Sequence, residues 1–323
     1  MGRVVMREPL SVFKGRRVLV TGDTGFKGSW LCVWLNQLGA EVTGFALPPA
    51  QANDHFNLLQ LDRVIQHVDG DIRDLPALQR VFAKLQPEFL FHLAAQSLVR
   101  YSYDEPKLTF DTNIGGSVNI LECVRATPSL RAAIYVTSDK CYRNKEWVWG
   151  YRENDELGGR DPYSASKAAA ELVFSAYVDA YFAQRNALGI ASVRAGNVIG
   201  GGDWAADRIV PDSIKSLQQG RPIVLRNPQS TRPWQHVLEP LSGYLALASK
   251  LYSTGHEFSG SWNFGPRVES TRTVRDLAEK IVACWGQGSI EVAQQQGAPH
   301  EAGLLHLNCD KAIQQLGWTP RWN

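Results

Sequence analysis

Two rhythms of apolar and polar positions alternate along the first 195 residues: short unbroken apolar runs, and longer stretches with helical spacing. The run "RRVLVTG" predicts a buried strand of the parallel kind, closed by a glycine turn, and "GSWLCVWLNQLGA" then has apolar residues at helical spacing up to Gly39. "EVTGFAL" predicts strand two and "RVIQHVDGD" strand three, followed by the helix "LPALQRVFAKLQ". "EFLFHLAA" predicts strand four, "TNIGGSVNILECVRAT" a helix closed by Pro128, and "AAIYVTS" strand five. "YSASKAAAELVFSAYVDAYFAQR" predicts a long helix and "IASVRAG" strand six. Strands that alternate with helices in this way are joined by right-handed crossovers, so the fold class is α/β, a doubly wound parallel sheet.

The texture changes after Gly196. "GNVIGGGDW", "RNPQSTRPWQH" and "NFGPRVES" are loops rich in Gly, Pro, Asn and Arg, with helical patterns at "LEPLSGYLALASKLY" and "TVRDLAEKIVACWG". The pattern divides the chain into a sheet domain over 1–195, to which about 230–262 returns, and a smaller, less regular C-terminal substrate-binding lobe over about 196–229 and 263–323. No internal repeat or low-complexity tract is visible. The end, "KAIQQLGWTPRWN", stops just after a turn signal, as a truncated or incomplete chain would.

Composition narrows the class. With 323 residues, 44% hydrophobic and 20% charged, the chain has the make-up of a soluble globular protein of one large or two modest domains. A formal net charge of +2 gives no reason to expect nucleic acid or an anionic membrane as partner. No apolar run approaches the roughly 20 residues that span a bilayer, and the basic start "MGRVVMREPLSVFKGRR" lacks the apolar core of a signal peptide. Cys32, Cys123, Cys141, Cys284 and Cys309 are widely spaced, which suits reduced packing cysteines of a cytoplasmic protein. The seven histidines show no ligand spacing, so no metal is expected.

Chemistry enters with "VTGDTGFKGSW", which follows the first strand and opens the first helix. Gly22, Gly25 and Gly28 permit a tight turn, let backbone N–H groups approach a pyrophosphate, and let helix and strand pack closely, as in a Rossmann dinucleotide site. Such a site usually carries an acid on the adenosine ribose about 20 residues on. Here strand two runs into "GFALPPAQAND" with no acid at its tip. The same loop has no Arg or Lys for a 2′-phosphate, which favours NAD, whereas Lys27 within the glycine loop keeps NADP open. Asp71 and Ile72 in "GDIRD" stand where an adenine ring could lie, and Asp71 reads equally as a turn or helix-capping residue.

Strand five ends in "VTSDKCY", an aspartate beside a lysine. Alone, Asp139–Lys140 reads as a solvated surface pair. Further on, Tyr163 and Lys167 lie four apart on a predicted helix and so share one face. An ammonium beside the phenol, with a positive nicotinamide ring nearby, should lower its pKa from about 10, so that phenolate takes a proton from a sugar hydroxyl as hydride leaves the carbon.

"TGxxGFxG", "HLAAQ" at His92–Gln96, Asn113 in "TNIGG" and "YSASK" together resemble the extended short-chain dehydrogenase/reductase superfamily over essentially the whole chain. Within it, "TSDKCY", "WVWGYREND", "SVRAGNVIGGGDWAADRIVPD" and "RPWQHVLEPLSGYL" resemble the CDP-glucose 4,6-dehydratase branch. The resemblance implies cofactor contacts at Gly22, Gly25, Phe26, Gly28, Asp71, Ile72, Ala94, Ala95, Gln96, Asn113, Tyr163 and Lys167. It implies catalytic roles for Ser138, Asp139, Lys140, Tyr163 and Lys167, and nucleotide-sugar contacts at Asn197, Arg208, Arg232 and His300. It further implies CDP-glucose as substrate and a homodimer built through a four-helix bundle; the choice of cytidine rests on it entirely.

The resemblance gives Asp139–Lys140 a task. A hexose oxidised at C4 has an acidic C5 hydrogen, so a base can remove it while an acid protonates the departing C6 hydroxyl. Asp139 is read as the acid and Lys140 as the base, with Lys140 as a mere substrate holder the other reading. Burial would raise the aspartate and lower the lysine, the sense each role needs, while their mutual attraction opposes both shifts. An epimerase, another nucleotide-sugar 4,6-dehydratase or a plain reductase could share the fold, and a non-catalytic dinucleotide-sensing protein would not need Ser138, Tyr163 and Lys167 together. The product of CDP-glucose separates these: loss of water, an isobaric sugar, or nothing.

Overall fold

The computed structural model describes residues 9–293 and 304–322. Its centre is a parallel sheet of seven strands: β1 (Arg17–Thr21), β2 (Glu41–Ala46), β3 (Gln66–Asp69), β4 (Phe89–His92), β5 (Ala132–Val136), β6 (Gly189–Ala195) and a last strand, Gly260–Phe264. From one edge the order is Gly260–Phe264, β6, β5, β4, β1, β2, β3. The chain therefore winds one way from β1 to β3 and the other way from β4 outward, which opens a crevice at the carboxyl ends of β1 and β4.

Side chains alternate between the two faces with period two. Val18 and Val20, Phe89 and Phe91, Ile134 and Val193 face one cluster; Leu19, Leu90, Ala133, Tyr135 and Ile190 face the other. The first cluster is closed by helix α1 (Phe26–Gln37), through Leu31 and Leu35, and by the Leu238–Thr254 helix, through Leu241, Leu245 and Leu251. The second is closed by the helices Leu75–Leu85, Gly116–Ala126 and Pro162–Tyr177, through Phe82, Leu121, Val124 and Phe174.

The six strands read from the pattern are all present, though β3 is shorter than its run because Leu61–Arg63 forms a helical turn ahead of it. The seventh strand was not read: in "GSWNF" only Trp262 and Phe264 are large and apolar, and the strand is an edge paired to β6 alone. Outside the sheet, Ile209–Gln218 and Val274–Trp285 pack over the short parallel pair Ile223–Leu225 and Ile290–Val292. They share a small core of Leu217, Ile223, Leu225 and Ala278. Thr273 and Asp276 form a reciprocal cap at the start of Val274–Trp285. This lobe overhangs the carboxyl ends of the strands.

Candidate active site

A cavity of about 1050 Å³ runs along the crevice between the sheet and the lobe. The glycine loop forms its floor. Gly22 has φ +79°, and a Cβ there would stand 2.7 Å from the backbone nitrogen of Ala94. At Gly28 a Cβ would meet the Gly22 carbonyl oxygen at 2.0 Å, so α1 could not start so close to β1 with any side chain there. Gly25 caps α1 without a side-chain partner, and the first N–H groups of the helix open toward the cavity that Gly25, Phe26 and Gly28 line. This is a cradle for a diphosphate.

At one end the wall is Asp71 and Ile72. Asp71 takes the Arg73 guanidinium (Nε–Oδ2 2.9 Å) and the Arg73 backbone N–H (2.9 Å), which hold its carboxyl below the usual range. Arg73 also lines the cavity, a cation that follows β3 rather than β2. Ala94, Ala95 and Gln96 line the middle. Asn113 does not line the cavity and stands behind that wall. Its Oδ1 accepts from Gln96 N–H, and its Nδ2 donates to the Gln96 carbonyl and to Ser166 Oγ, each at 2.9 Å. The side chain expected on the cofactor is thus wholly engaged in tying the "HLAAQ" turn to the Pro162–Tyr177 helix.

At the other end the catalytic candidates converge. Ser138, Asp139, Lys140, Tyr163 and Lys167 all line the cavity, with Asn197, Arg208 and Arg232 opposite them; His300 lies outside the described residues. The helix that carries Tyr163 and Lys167 starts where Asp161 accepts from Ser164 N–H (2.9 Å) and Pro162 occupies the first turn. Ser102 Oγ accepts from the backbone N–H of Tyr163 (3.1 Å), which fixes that first turn.

The electrostatics of this end are dominated by burial. Asp139 is 3% exposed, and burial raises its carboxyl above the ordinary value against the pull of Lys140, Ser138 and Arg232. Its Oδ1 accepts from Ser138 Oγ (3.0 Å), while Oδ2 is buried without a partner. Burial pushes Lys167 down to about 8. The expectation that Tyr163 is lowered is not met in the protein itself: burial pushes the phenol up to about 12, outweighing its hydrogen bond with Ser138 and the charge of Arg208. Desolvation of a phenolate is the larger effect.

Behind the site lies a charge network with no signal in local sequence. Glu171, one turn beyond Lys167, receives Arg194 through Nε (2.9 Å) and Nη2 (2.7 Å), Ser192 Oγ (2.8 Å) and the Thr137 hydroxyl. Arg194 also donates to Tyr142 Oη (2.7 Å) and the Glu153 carbonyl (2.9 Å). Burial alone would raise Glu171; Arg194, Thr137 and Ser192 hold it below the carboxylate range. One carboxylate thereby ties the helix that carries Lys167 to the residue before Ser138 and to the strand that leads to Asn197.

The family described as GDP-mannose 4,6 dehydratase matches residues 19–323, and the chain belongs to it. The CDP-glucose 4,6-dehydratase of Salmonella typhimurium is 50% identical over 96% of this chain and 88% of that protein. The CDP-paratose 2-epimerase of Salmonella typhi is 32% identical over 48% of this chain and 51% of its own length. Among solved structures, a dTDP-glucose 4,6-dehydratase of Streptomyces venezuelae with NAD bound superposes with a TM-score of 0.80 at 24% identity, covering 95% of this chain and 92% of that one. An epimerase of Methanothermobacter thermautotrophicus gives 0.84 at 23% identity, over 98% and 90%. At these identities the two structures speak for the fold.

Proposed function

We propose that this chain is a CDP-glucose 4,6-dehydratase, a hydro-lyase that turns CDP-D-glucose into CDP-4-keto-6-deoxy-D-glucose and water with NAD as cofactor. The observation that carries the reading is the convergence of Asp139 and Lys140 with Ser138, Tyr163 and Lys167 on one cavity. An epimerase needs no acid and base beside the serine. The relative from Salmonella typhimurium supports the same assignment across nearly the whole chain.

The cofactor fits the residues present: Gly22, Gly25, Phe26 and Gly28 for its diphosphate, Asp71 and Ile72 at the adenosine end, Ala94 to Gln96 between, and Tyr163 and Lys167 at the nicotinamide end. The ion pair of Asp71 with Arg73 ties up the cation nearest a 2′-phosphate and so favours NAD. NAD held there would supply hydride acceptance and return for the sugar, and its positive ring would oppose the effect of burial on Tyr163.

The chain's own residues manage three protons. Tyr163 as phenolate takes the proton of the C4 hydroxyl, with Lys167 beside it on the same helix face. Lys140 as amine takes the C5 proton, the C6–O bond breaks, and Asp139 gives its proton to the departing hydroxyl, which leaves as water. When hydrogen returns to C6, Lys140 gives its proton back to C5. Each turnover then leaves Tyr163 with one proton more and Asp139 with one fewer. Ser138 is hydrogen-bonded to both, so a single relay through its hydroxyl restores the two groups. Arg208, Arg232 and Asn197 face the nucleotide-sugar end, with the arginines suited to the diphosphate.

We assign residues 1–195 and about 230–262 to the cofactor domain, and the Leu238–Thr254 helix accords with this because it packs under the sheet. We further propose a homodimer paired through the Gly116–Ala126 and Pro162–Tyr177 helices. Leu172 is 61% exposed on the outer face of the second helix and Tyr181 is 53% exposed just beyond its end, apolar surface of the kind a two-fold helix interface covers. Light scattering at micromolar concentration should give twice the chain mass. Among the described residues no helix is long and apolar enough to cross a membrane; the five free cysteines accord with our placement of the enzyme in the cytoplasm.

The test is the fate of hydrogen. CDP-glucose carrying deuterium at C4 should yield product with deuterium at C6, and reaction in D₂O should place solvent deuterium at C5, with no external NADH consumed. Deuterium lost from C6 to solvent, or an isobaric sugar as product, overturns the mechanism.

A further inference from the structure

Lys27 belongs to the glycine loop, and in the sequence it was the one cation available for an adenosine 2′-phosphate. The structure sends it elsewhere. Its side chain lines the catalytic end of the cavity, with its ammonium 5.8 Å from the centre of the Tyr244 ring. The charged groups it senses are Arg208, Lys167 and Asp139, all of the catalytic end, and none from the Asp71–Arg73 end.

Lys27 makes no ion pair or hydrogen bond among the described residues, although it is a largely enclosed ammonium. Burial, and then the like charges of Arg208 and Lys167, push it down to about 8. The acids nearby relieve it only in part: Asp203 is committed to Arg208 at 2.8 Å, and the charge of Asp139 is outweighed by burial and by the two cations. The hydroxyl of the same Tyr244 is buried without a partner as well. Lys27 and its neighbour Arg208 line one cavity, and an enclosed ammonium without an ion pair calls for an anion beside it.

We propose that Lys27 is a diphosphate-binding residue, placing its ammonium with Arg208 on the diphosphate of the nucleotide sugar rather than on that of the dinucleotide. The proposal rests on the nucleotide-sugar reading given above and adds to it a ligand drawn from the cofactor loop itself. The floor of the dinucleotide site and the wall of the sugar-nucleotide site then share one residue. Binding of the second ligand relieves the cation repulsion that the first leaves in place.

The test is calorimetry on the NAD-loaded protein, comparing wild type with Lys27→Met, which keeps the length and removes the charge. CDP should bind the variant about 10- to 100-fold more weakly, the loss of one charged hydrogen bond. Cytidine, which has no phosphate, should bind both proteins equally. The NAD content of the purified variant should match wild type, which also shows that it folds, and Lys27→Arg should recover most of the CDP affinity. CDP affinity unchanged in Lys27→Met, or NAD lost while CDP affinity stays, overturns the inference. Wild type that binds no CDP overturns the nucleotide-sugar reading first, and the inference with it.

Discussion

The two ends of the cavity handle charge in opposite ways. At the adenosine end the charges pair within the protein: Arg73 with Asp71, and behind the wall His67 with Asp23 (Nδ1–Oδ2 2.7 Å), whose other oxygen Oδ1 is buried without a donor. At the catalytic end Lys27 lacks an anion, Asp139 Oδ2 lacks a donor, and Tyr163, Asp139 and Lys167 are all moved by burial toward their neutral forms. The first end is a finished surface that receives a ligand without change of charge. The second is incomplete until substrate arrives, and its desolvation cost is what lets the Asp139 carboxyl keep a proton to give as an acid.

The comparison is broken most severely by removing one hydroxyl at the catalytic end. Tyr163→Phe should slow oxidation at C4 by about 10³-fold or more while the fold survives, because the Ser102 contact is made to the backbone of Tyr163. Stopped-flow absorbance of reduced nicotinamide on mixing with CDP-glucose reads this step directly, and a near wild-type rate would remove the tyrosine from the mechanism. Lys140→Ala should keep that first signal and slow the steps after C4 oxidation by about 10²–10⁴-fold. If the variant is as fast as wild type, Lys140 is a substrate holder.

Below these in size come effects on stability. Glu171→Gln should cost about 3–5 kcal/mol, since it leaves the buried Arg194 without its counter-charge. Urea unfolding of single and double variants with Arg194→Met measures it; a double variant whose loss is the sum of the two single losses would mean that the pair is not the source. The loss should also reach the chemistry, because Thr137, next to Ser138, shares the same carboxylate.

That network marks the limit of what the sequence discloses. Val18, Leu19 and Val20 announce their faces by simple alternation, and Gly22, Gly25 and Gly28 announce a loop, because those constraints are local. Residues 137, 171, 194 and 263 are joined only when three strands and a helix are in place, and nothing in their spacing shows it. The resemblance supplied Asp139 and Lys140, which spacing alone could not separate from a solvated pair. Lys27 was visible as a cation, but its direction was not, since a lysine at the start of a helix can reach either diphosphate. Tyr163 lines the cavity, and its phenol is raised rather than lowered in the protein alone, because the fold buries both it and Lys167, which spacing does not show.

The smallest effect is expected at the finished end, and it carries a sign. His67 has its pKa raised above the ordinary 6.5, chiefly by its hydrogen bond to Asp23, against some desolvation. A histidine whose folded value is raised contributes stability that is fully present below the unfolded value and is lost as pH rises through the folded one. Protonated His67 should therefore hold β3 to the glycine loop in mildly acid solution and let go in alkali. His67→Gln can still donate to Asp23 but carries no charge, so it should be less stable than wild type by up to about 1 kcal/mol at low pH and nearly equal at high pH. Unfolding midpoints of the two proteins at about pH 5.5 and about pH 8.5 make the comparison. A difference that stays constant across that range would mean that the contact is a neutral hydrogen bond, and that the adenosine end is held together without a charge of its own at this point.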